Sequence, residues 1–233
     1  MIPVLIVPVL NRPELLDRML DSVDVEVGTL VIVDNGDVVH PTTHLADRWQ
    51  GHTRLIWPGH NLGVAASWNL GMKVTPDAPW WFITGFDMLY TPGDLQQLVD
   101  EMNSSPKPRT VHLHGYSSFA LNRDGVERVG YFDENFHPAY FEDNDYAYRC
   151  FLKGMEAVHL LNGAKHEGSA TIYGDQSYRD QNHTTFEANK AYYLAKWGGM
   201  PSQERWTSPF AIDAAGEPAI APSRLRKQAW QLR

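Results

Sequence analysis

The sequence predicts an α/β fold organised on parallel strands, and three observations carry that prediction. Val4–Val9 (VLIVPV), Leu30–Val33 and Trp80–Ile83 are continuous apolar runs, as expected of strands buried on both faces. Leu15, Leu16, Met19, Leu20 and Val23 form a helical stripe between the first two runs, and a strand, helix, strand order implies a right-handed βαβ unit. Carboxylates fall just past strand ends, Asp34 after the second run and Asp87 after the third. Open α/β sheets bind their ligands at that edge.

Each element has a local reason. Pro8 sits near the end of the first strand, where a missing N–H is tolerated, and Asn11-Arg12-Pro13 starts the helix. The second strand ends in Asp34-Asn35-Gly36, and Arg54–Trp57 is a short third strand. Gly59–Gly71 (GHNLGVAASWNLG) opens a helix with small residues. Such a start packs tightly against a neighbour or brings a phosphate or sugar close to backbone N–H groups. It has neither the P-loop spacing nor the dinucleotide fingerprint. Trp80–Thr84 is the central strand, and Thr91 as N-cap, Pro92 and Asp94 begin a helix that buries Leu95, Leu98, Val99 and Met102.

Ser104–Arg109 is a polar connection leading to two short strands, Thr110–His114 and Phe119–Asn122, with a turn at Arg123-Asp124-Gly125. Glu142, Asp143 and Asp145 open a helix ending near Lys153-Gly154, where their charge favours the helix dipole whatever else they do. Ala157–Leu161 is a last strand. A closing helix, Thr184–Trp197, has a Thr184–Glu187 capping box and a Gly198-Gly199 stop. This divides the chain into a domain over 1–200 and a C-terminal extension, 201–233, expected to wrap the surface or mediate contacts.

Bulk properties narrow the function. A net charge of −8 disfavours nucleic acid as the main partner, because phosphate backbones are bound by Lys and Arg. Small phosphorylated ligands remain, since a metal ion supplies positive charge locally. The single cysteine, Cys150, excludes an internal disulfide and a Cys-based metal site. No stretch has the apolar length of a membrane span, and Met1–Leu10 has no basic leader, so a cytoplasmic location is expected.

Taken in order, VLIVPVLNRPELL, VIVDNGD, HNLGVAASWNLGM, WWFITGFDMLYTPGDLQQLV, VGYFDENF, FEDNDYAYRC and KHEGSAT resemble the successive blocks of family-2 glycosyltransferases, the rhamnosyltransferase-like members above all. The resemblance spans residues 3 to 199. It implies a single-domain GT-A fold, a Rossmann-like, mostly parallel sheet flanked by helices, with donor and acceptor subsites on one face. Residue by residue, it implies that Asp34 contacts the nucleotide base and that Pro8–Asn11 cradle the nucleoside. Asn61, Gly63 and Asn69 would line the nucleotide site. Asp87 matches the last acid of the metal motif, and His166 a histidine that reaches the metal or diphosphate. Asp143 matches the catalytic base, with Glu142 and Asp145 beside it near the acceptor. The chain departs from the pattern at Gly85, where many members carry an acid or asparagine. A Mn²⁺ or Mg²⁺ ion would then lean on the donor's own phosphate oxygens.

The residue types suit the chemistry. Transfer from a nucleotide-sugar to a hydroxyl of a glycan, protein or other acceptor must neutralise a departing diphosphate, which a carboxylate and a divalent cation can do. It must also take a proton from the hydroxyl as that oxygen attacks an oxocarbenium-like carbon, and a single base opposite the leaving group gives inversion. Taken alone, His166 is equally a packed histidine, and Trp57 and Trp68 are core residues or sugar platforms. Two rivals are a sugar-nucleotide pyrophosphorylase, which needs a Gly-rich, Arg-containing loop after the first strand, and a non-catalytic nucleotide- or carbohydrate-binding module with a decayed metal motif. Nucleoside diphosphate release, pyrophosphate-dependent triphosphate formation and silent binding separate the three.

Overall fold

The apolar runs fold into the middle of one sheet because both of their faces need cover. A computed structural model of the chain describes residues 1–40, 49, 52–167 and 176–211, with backbone alone for 176–184. Its strands are β1 (Ile2–Val9), β2 (Val27–Asp34), β3 (Thr53–Ile56), β4 (Trp80–Thr84), β5 (Met88–Leu89), β6 (Arg109–His114), β7 (Ser118–Asn122), β8 (Glu156–His159) and β9 (Lys165–His166). The helices are α1 (Pro13–Asp21), α2 (Val64–Lys73), α3 (Asp94–Ser104), α4 (Arg123–Val129), α5 (Glu142–Leu152) and α6 (Gln176–Trp197). The main sheet has 7 strands in the order β3-β2-β1-β4-β7-β6-β8, and β5 pairs with β9 in a separate ribbon. Within the main sheet β7 alone runs against its neighbours, so the other strands end on one edge.

Strand alternation splits the core into two layers. Leu5, Val7, Leu30, Ile32, Trp80 and Phe82 pack with Leu16 and Met19 of α1 and with Leu95, Leu98 and Met102 of α3. Val4, Ile6, Val31, Val33, Trp81 and Ile83 face Trp68 and Met72 of α2, Val126 of α4, and Tyr146 and Cys150 of α5. Each such side chain contributes roughly 1.5–3 kcal/mol on burial, so the sheet centre is the most strongly held part of the fold. A third cluster, Phe136, Phe141, Tyr148, Tyr193 and Trp197, joins α5 to α6. Beyond α6 the chain turns back on it, with Arg205 and Trp206 N–H groups donating to Trp197 O and Phe210 N–H donating to Lys196 O.

Several local expectations shift. The N-cap of α3 is Gly93, in a left-handed conformation, and not Thr91. Thr91 instead donates its N–H and hydroxyl to Asp94 Oδ2, each at 2.8 Å, so Asp94 closes the turn that precedes the helix. The Arg123-Asp124-Gly125 turn is the first turn of α4, capped by Asn122, whose side chain accepts from Gly125 N. α6 begins at Gln176, which puts Thr184 inside the helix and removes the capping box. The side chain of Thr184, the Gly168–Thr171 part of the last sequence block and residues 212–233 lie outside the described residues.

Candidate active site

Because the parallel strands end on one edge, the loops after β1, β4 and β6 meet there around a cleft of about 620 Å³. That is the size of a small-molecule site. From the sequence-predicted set it brings together Pro8, Asn61, Gly63, Asp87, Glu142, Asp143 and His166.

One wall is built from the end of β4 and the β5–β9 ribbon. Pairing of Met88 with His166 places the imidazole across from Asp87, with Nε2 3.2 Å from Oδ1. The hydrogen bond to Asp87 raises the His166 pKa above its ordinary value, against the opposing effect of burial. Gly85 matters sterically. A Cβ there would stand 2.8 Å from Asp87 Oδ1, so a side chain at 85 would crowd the one carboxylate the motif retains. Among the described residues no group of three His, Cys, Asp or Glu side chains could hold a metal ion. Asp87 and His166 therefore amount to two donors of a coordination sphere, with the rest left to a ligand and water.

A second part of the lining is the N-terminus of α5. Tyr140 and Phe141 precede it at φ 79° and 71°, a left-handed pair costing roughly 1–3 kcal/mol per residue. Asn189 of α6 holds that conformation by donating Nδ2 to Ala139 O at 2.8 Å and to Tyr140 O at 3.3 Å. The result turns Glu142 and Asp143 to the cleft. Glu142 is 6% exposed, and its Oε2 is buried without a hydrogen-bond partner among the described residues. Burial pushes the Glu142 carboxyl well above its ordinary range, with the neighbouring Asp143 charge adding to it. Burial also raises Asp143, against bonds from backbone N–H groups that include Asn144. A helix N-terminus favours carboxylates by about 0.3–1 kcal/mol, less than one pKa unit, so here desolvation wins.

A third part of the lining is a zipper. Val64 N donates to Pro138 O at 2.7 Å, and His137 Nε2 lies 3.1 Å from Asn61 O. Gly63 takes φ 78°, and a Cβ on it would come within 2.7 Å of Pro138 O, so both its conformation and its neighbour demand glycine. Asn61 Oδ1 accepts from Gly63 N, and Asn35 Oδ1 accepts from Leu62 N, which fixes the loop to the end of β2.

Asn11, Asp34, Asn69 and Asp145 are not brought to the cleft. Asp34 turns into its own loop, where its carboxylate accepts from Gly36, Val38 and Val39 N–H groups at 2.8–3.2 Å. Asn69 clasps Phe132, donating to its carbonyl at 2.9 Å and accepting from its N–H at 3.0 Å, and also donates to Glu134. Asp145 is fully buried between α5 and α6, bonded to Arg149 Nε and Trp197 Nε1 at 2.8 Å and to Lys196 Nζ at 2.6 Å. Asn11 lies one residue beyond the cleft-lining stretch Pro8–Leu10. Trp68, in contrast, lines the cleft while packing edge-on against Phe119 and Phe132, so it is core and wall at once.

Sequence reading missed the hairpin His114–Ser117, all four residues of which line the cleft. Gly85 N donates to Ser117 O at 2.8 Å, and His112 Nδ1 lies 3.0 Å from Gly115 O. The His114 ring sits 5.3 Å from that of His166, and Tyr116 is close enough to Asp143 for the charge there to raise its phenol pKa further, beyond the larger effect of burial. The available signal was direction. A strand parallel to β4 must end on the same edge, so its terminal residues belong to the site.

The sequence profile of "Glycosyl transferase family 2" matches residues 4–147, more than half of the chain. The chain belongs to this family. A curated relative, the galactofuranosyl glycosyltransferase of Leishmania donovani, is 24% identical over an alignment covering 87% of this chain and 64% of the relative. The chain thus spans less than two thirds of that protein. Among solved structures, the mannosyltransferase PcManGT of Pyrobaculum calidifontis, in complex with GDP-Man and Mn²⁺, superposes with a TM-score of 0.57 at 18% identity, covering 79% of this chain and 62% of that one. The glucosyl-3-phosphoglycerate synthase of Mycobacterium tuberculosis, in complex with Mn²⁺, UDP and phosphoglyceric acid, gives 0.54 at 15% identity, covering 81% and 78%. These likenesses show the GT-A fold for the family-2 chain. Among the described residues no helix is long and apolar enough to cross a membrane.

Proposed function

We propose that this family-2 glycosyltransferase is an inverting enzyme that moves a sugar from a nucleoside-diphosphate sugar to an acceptor hydroxyl, with Asp143 as the general base. One observation carries the reading: a single cleft is lined by both the Asp87–His166 pair and the Glu142–Asp143 pair. Two pairs of that kind suit a reaction with both a leaving group and a nucleophile to serve.

Asp87 and His166 fit a divalent ion such as Mn²⁺ or Mg²⁺, because their donor atoms already converge and a cation can replace the proton between them. When bound, the ion neutralises charge on the departing diphosphate. Pro8, Asn61 and Gly63 would border the nucleoside, since they line the same cleft. Asp143 would accept the acceptor's proton. Its raised pKa brings its basicity nearer to that of a useful base at neutral pH than an ordinary aspartate of about 3.9.

The test is incubation with UDP-, GDP- and dTDP-sugars and Mn²⁺, following nucleoside diphosphate release and the anomeric configuration of the product by NMR. Release with inversion is expected. Retention would remove the single-base mechanism, and absence of release with every donor would remove the transferase reading.

A further inference from the structure

The acceptor wall has a charge pattern that bears on what can dock there. Glu142 and Asp143 are adjacent carboxyls facing one cleft, and Glu142 Oε2 is buried with no partner among the described residues. A buried polar atom left unpaired is destabilising, so this one marks a place where a ligand donor is expected. Tyr116 lines the same cleft, its ring held by His112, Phe119 and Tyr146 at centroid distances of 4.9, 4.9 and 6.4 Å. Among the described residues that line the cleft there is no lysine or arginine. The one cation on α5, Arg149, gives Nε to Asp145 and Nη1 to the Val129 carbonyl, is absent from the cleft lining, and keeps a buried Nη2 with no partner among the described residues.

We propose that the acceptor half-site takes a neutral polyhydroxyl acceptor, a sugar or polyol with no phosphate or carboxylate near the reacting hydroxyl. This rests on the transferase reading and adds the acceptor class to it. Glu142 holds a second hydroxyl beside the one that Asp143 deprotonates, and the Tyr116 edge of the cleft supplies an apolar face with a phenol at its end. A sugar ring matches both, having C–H surface on one side and hydroxyls at its rim. The raised Glu142 pKa agrees, because a carboxyl that keeps its proton can donate to a hydroxyl oxygen as well as accept from one. An anionic acceptor meets the opposite situation: its charge would be placed beside Asp143 with no lysine or arginine among the described lining residues to pair with it. The solved relative in complex with phosphoglyceric acid shows that a chain of this fold can accommodate an anion, so the discrimination must come from side chains and not from the fold.

The experiment uses the full chain with Mn²⁺, the donor that releases nucleoside diphosphate fastest, and matched acceptors: octyl glycosides of galactose, mannose and rhamnose, the hexosides' 6-phosphates, and glycerol against 3-phosphoglycerate. Transfer to at least one neutral member is expected, with its charged counterpart slower by about a hundredfold or more at low salt. In Glu142→Gln the ratio of neutral to charged rates should narrow several-fold even as both rates fall. Transfer to a charged member within threefold of its neutral counterpart overturns the proposal, as does failure with every neutral member. Donor hydrolysis without acceptor reads the other wall separately. Hydrolysis with the wrong acceptor preference leaves the transferase reading intact, and no diphosphate release at all removes both.

Discussion

Asp34 closes β2 and Asp87 follows β4, two strands of one parallel set that end on the same edge of the sheet, yet the two acids do opposite things. Asp34 is saturated by backbone N–H groups of its own loop, while Asp87 meets His166 beside it in the lining of the cleft. The contrast repeats on α5, where Asp145 is bonded on both oxygens and Glu142 keeps one without a partner among the described residues. It repeats among the histidines, His112 with both ring nitrogens engaged and His166 at the cleft wall. Position in the topology brings an acid to the functional edge. What separates scaffold from chemistry is whether its hydrogen-bonding capacity has already been used.

The largest expected effect falls on the unsaturated side. Asp143→Asn keeps size and polarity but cannot take a proton, so transfer should drop by about two to four orders of magnitude with donor binding unchanged. Its folded pKa is raised, so the ionised form is disfavoured by folding, and the stability it gives at low pH is lost as pH rises through the raised value. The Asn variant should therefore melt at or above the wild-type temperature at neutral pH. For the same reason the acid limb of the wild-type rate profile should lie above the ordinary carboxylate range. Near-normal transfer by the variant would break the contrast between Asp143 and Asp145.

On the saturated side the cost is stability. Asp145→Asn removes the charge that pairs with Arg149 and Lys196 while leaving both cations in place, and breaking a buried pair costs about 3–5 kcal/mol. Denaturant unfolding should show that loss, and nucleotide affinity of the folded protein should not change. Weakened acceptor binding with normal stability would instead make Asp145 a site residue.

How much of this was legible from sequence follows from the same distinction. Buried strands announce themselves through apolar runs such as Trp80–Ile83, and the blocks carrying Asp87, Glu142 and Asp143 fall where the cleft is. Saturation is not legible, because it depends on partners distant in sequence. Trp197 reaches Asp145, and Phe132 reaches Asn69, across intervals that no periodicity encodes. The ribbon that delivers His166 was equally hidden, since a two-residue strand leaves no alternation to detect. His114 and Tyr116 were missed because a short turn of mixed residues has no signature beyond the direction of the strand before it.

His112 sharpens the comparison through pH. Burial lowers its pKa from 6.5 to about 4, and Nδ1 and Nε2 lie against Gly115 O and Thr110 Oγ1 with His159 stacked alongside. The folded chain therefore resists protonation that the unfolded chain accepts. Stability should be full above pH 6.5 and decline as pH falls towards 4, by about 3 kcal/mol. Urea unfolding across that interval, compared with His112→Gln, isolates the contribution. If the two slopes match, His112 does not titrate in this window, and its hold on the cleft-lining hairpin is not what acid removes.

The pair that defines the contrast separates stability from metal-dependent function. Asp34→Ala leaves the Gly36, Val38 and Val39 N–H groups to water or to nothing, and a hydrogen bond to a charged group contributes roughly 1.5–3 kcal/mol. The loss should appear in melting temperature, with nucleoside affinity following only as far as the loop beside Asn35 shifts. Asp87→Ala should do the reverse. Among the described residues its side chain bonds His166, so melting should barely move, while metal-stimulated turnover is lost and diphosphate binding weakens only when Mn²⁺ is present. His166→Ala should cost less than Asp87→Ala, because phosphate oxygens and water replace a neutral ligand more readily than an anionic one. The decisive measurement is isothermal titration of UDP and GDP with and without Mn²⁺ on both aspartate variants. A metal-independent loss in Asp34→Ala at unchanged stability would mean that its carboxylate meets the base despite being turned inward. Metal-dependent loss confined to Asp87→Ala would mean that, of two acids on one edge, only the one with unspent valence does the chemistry.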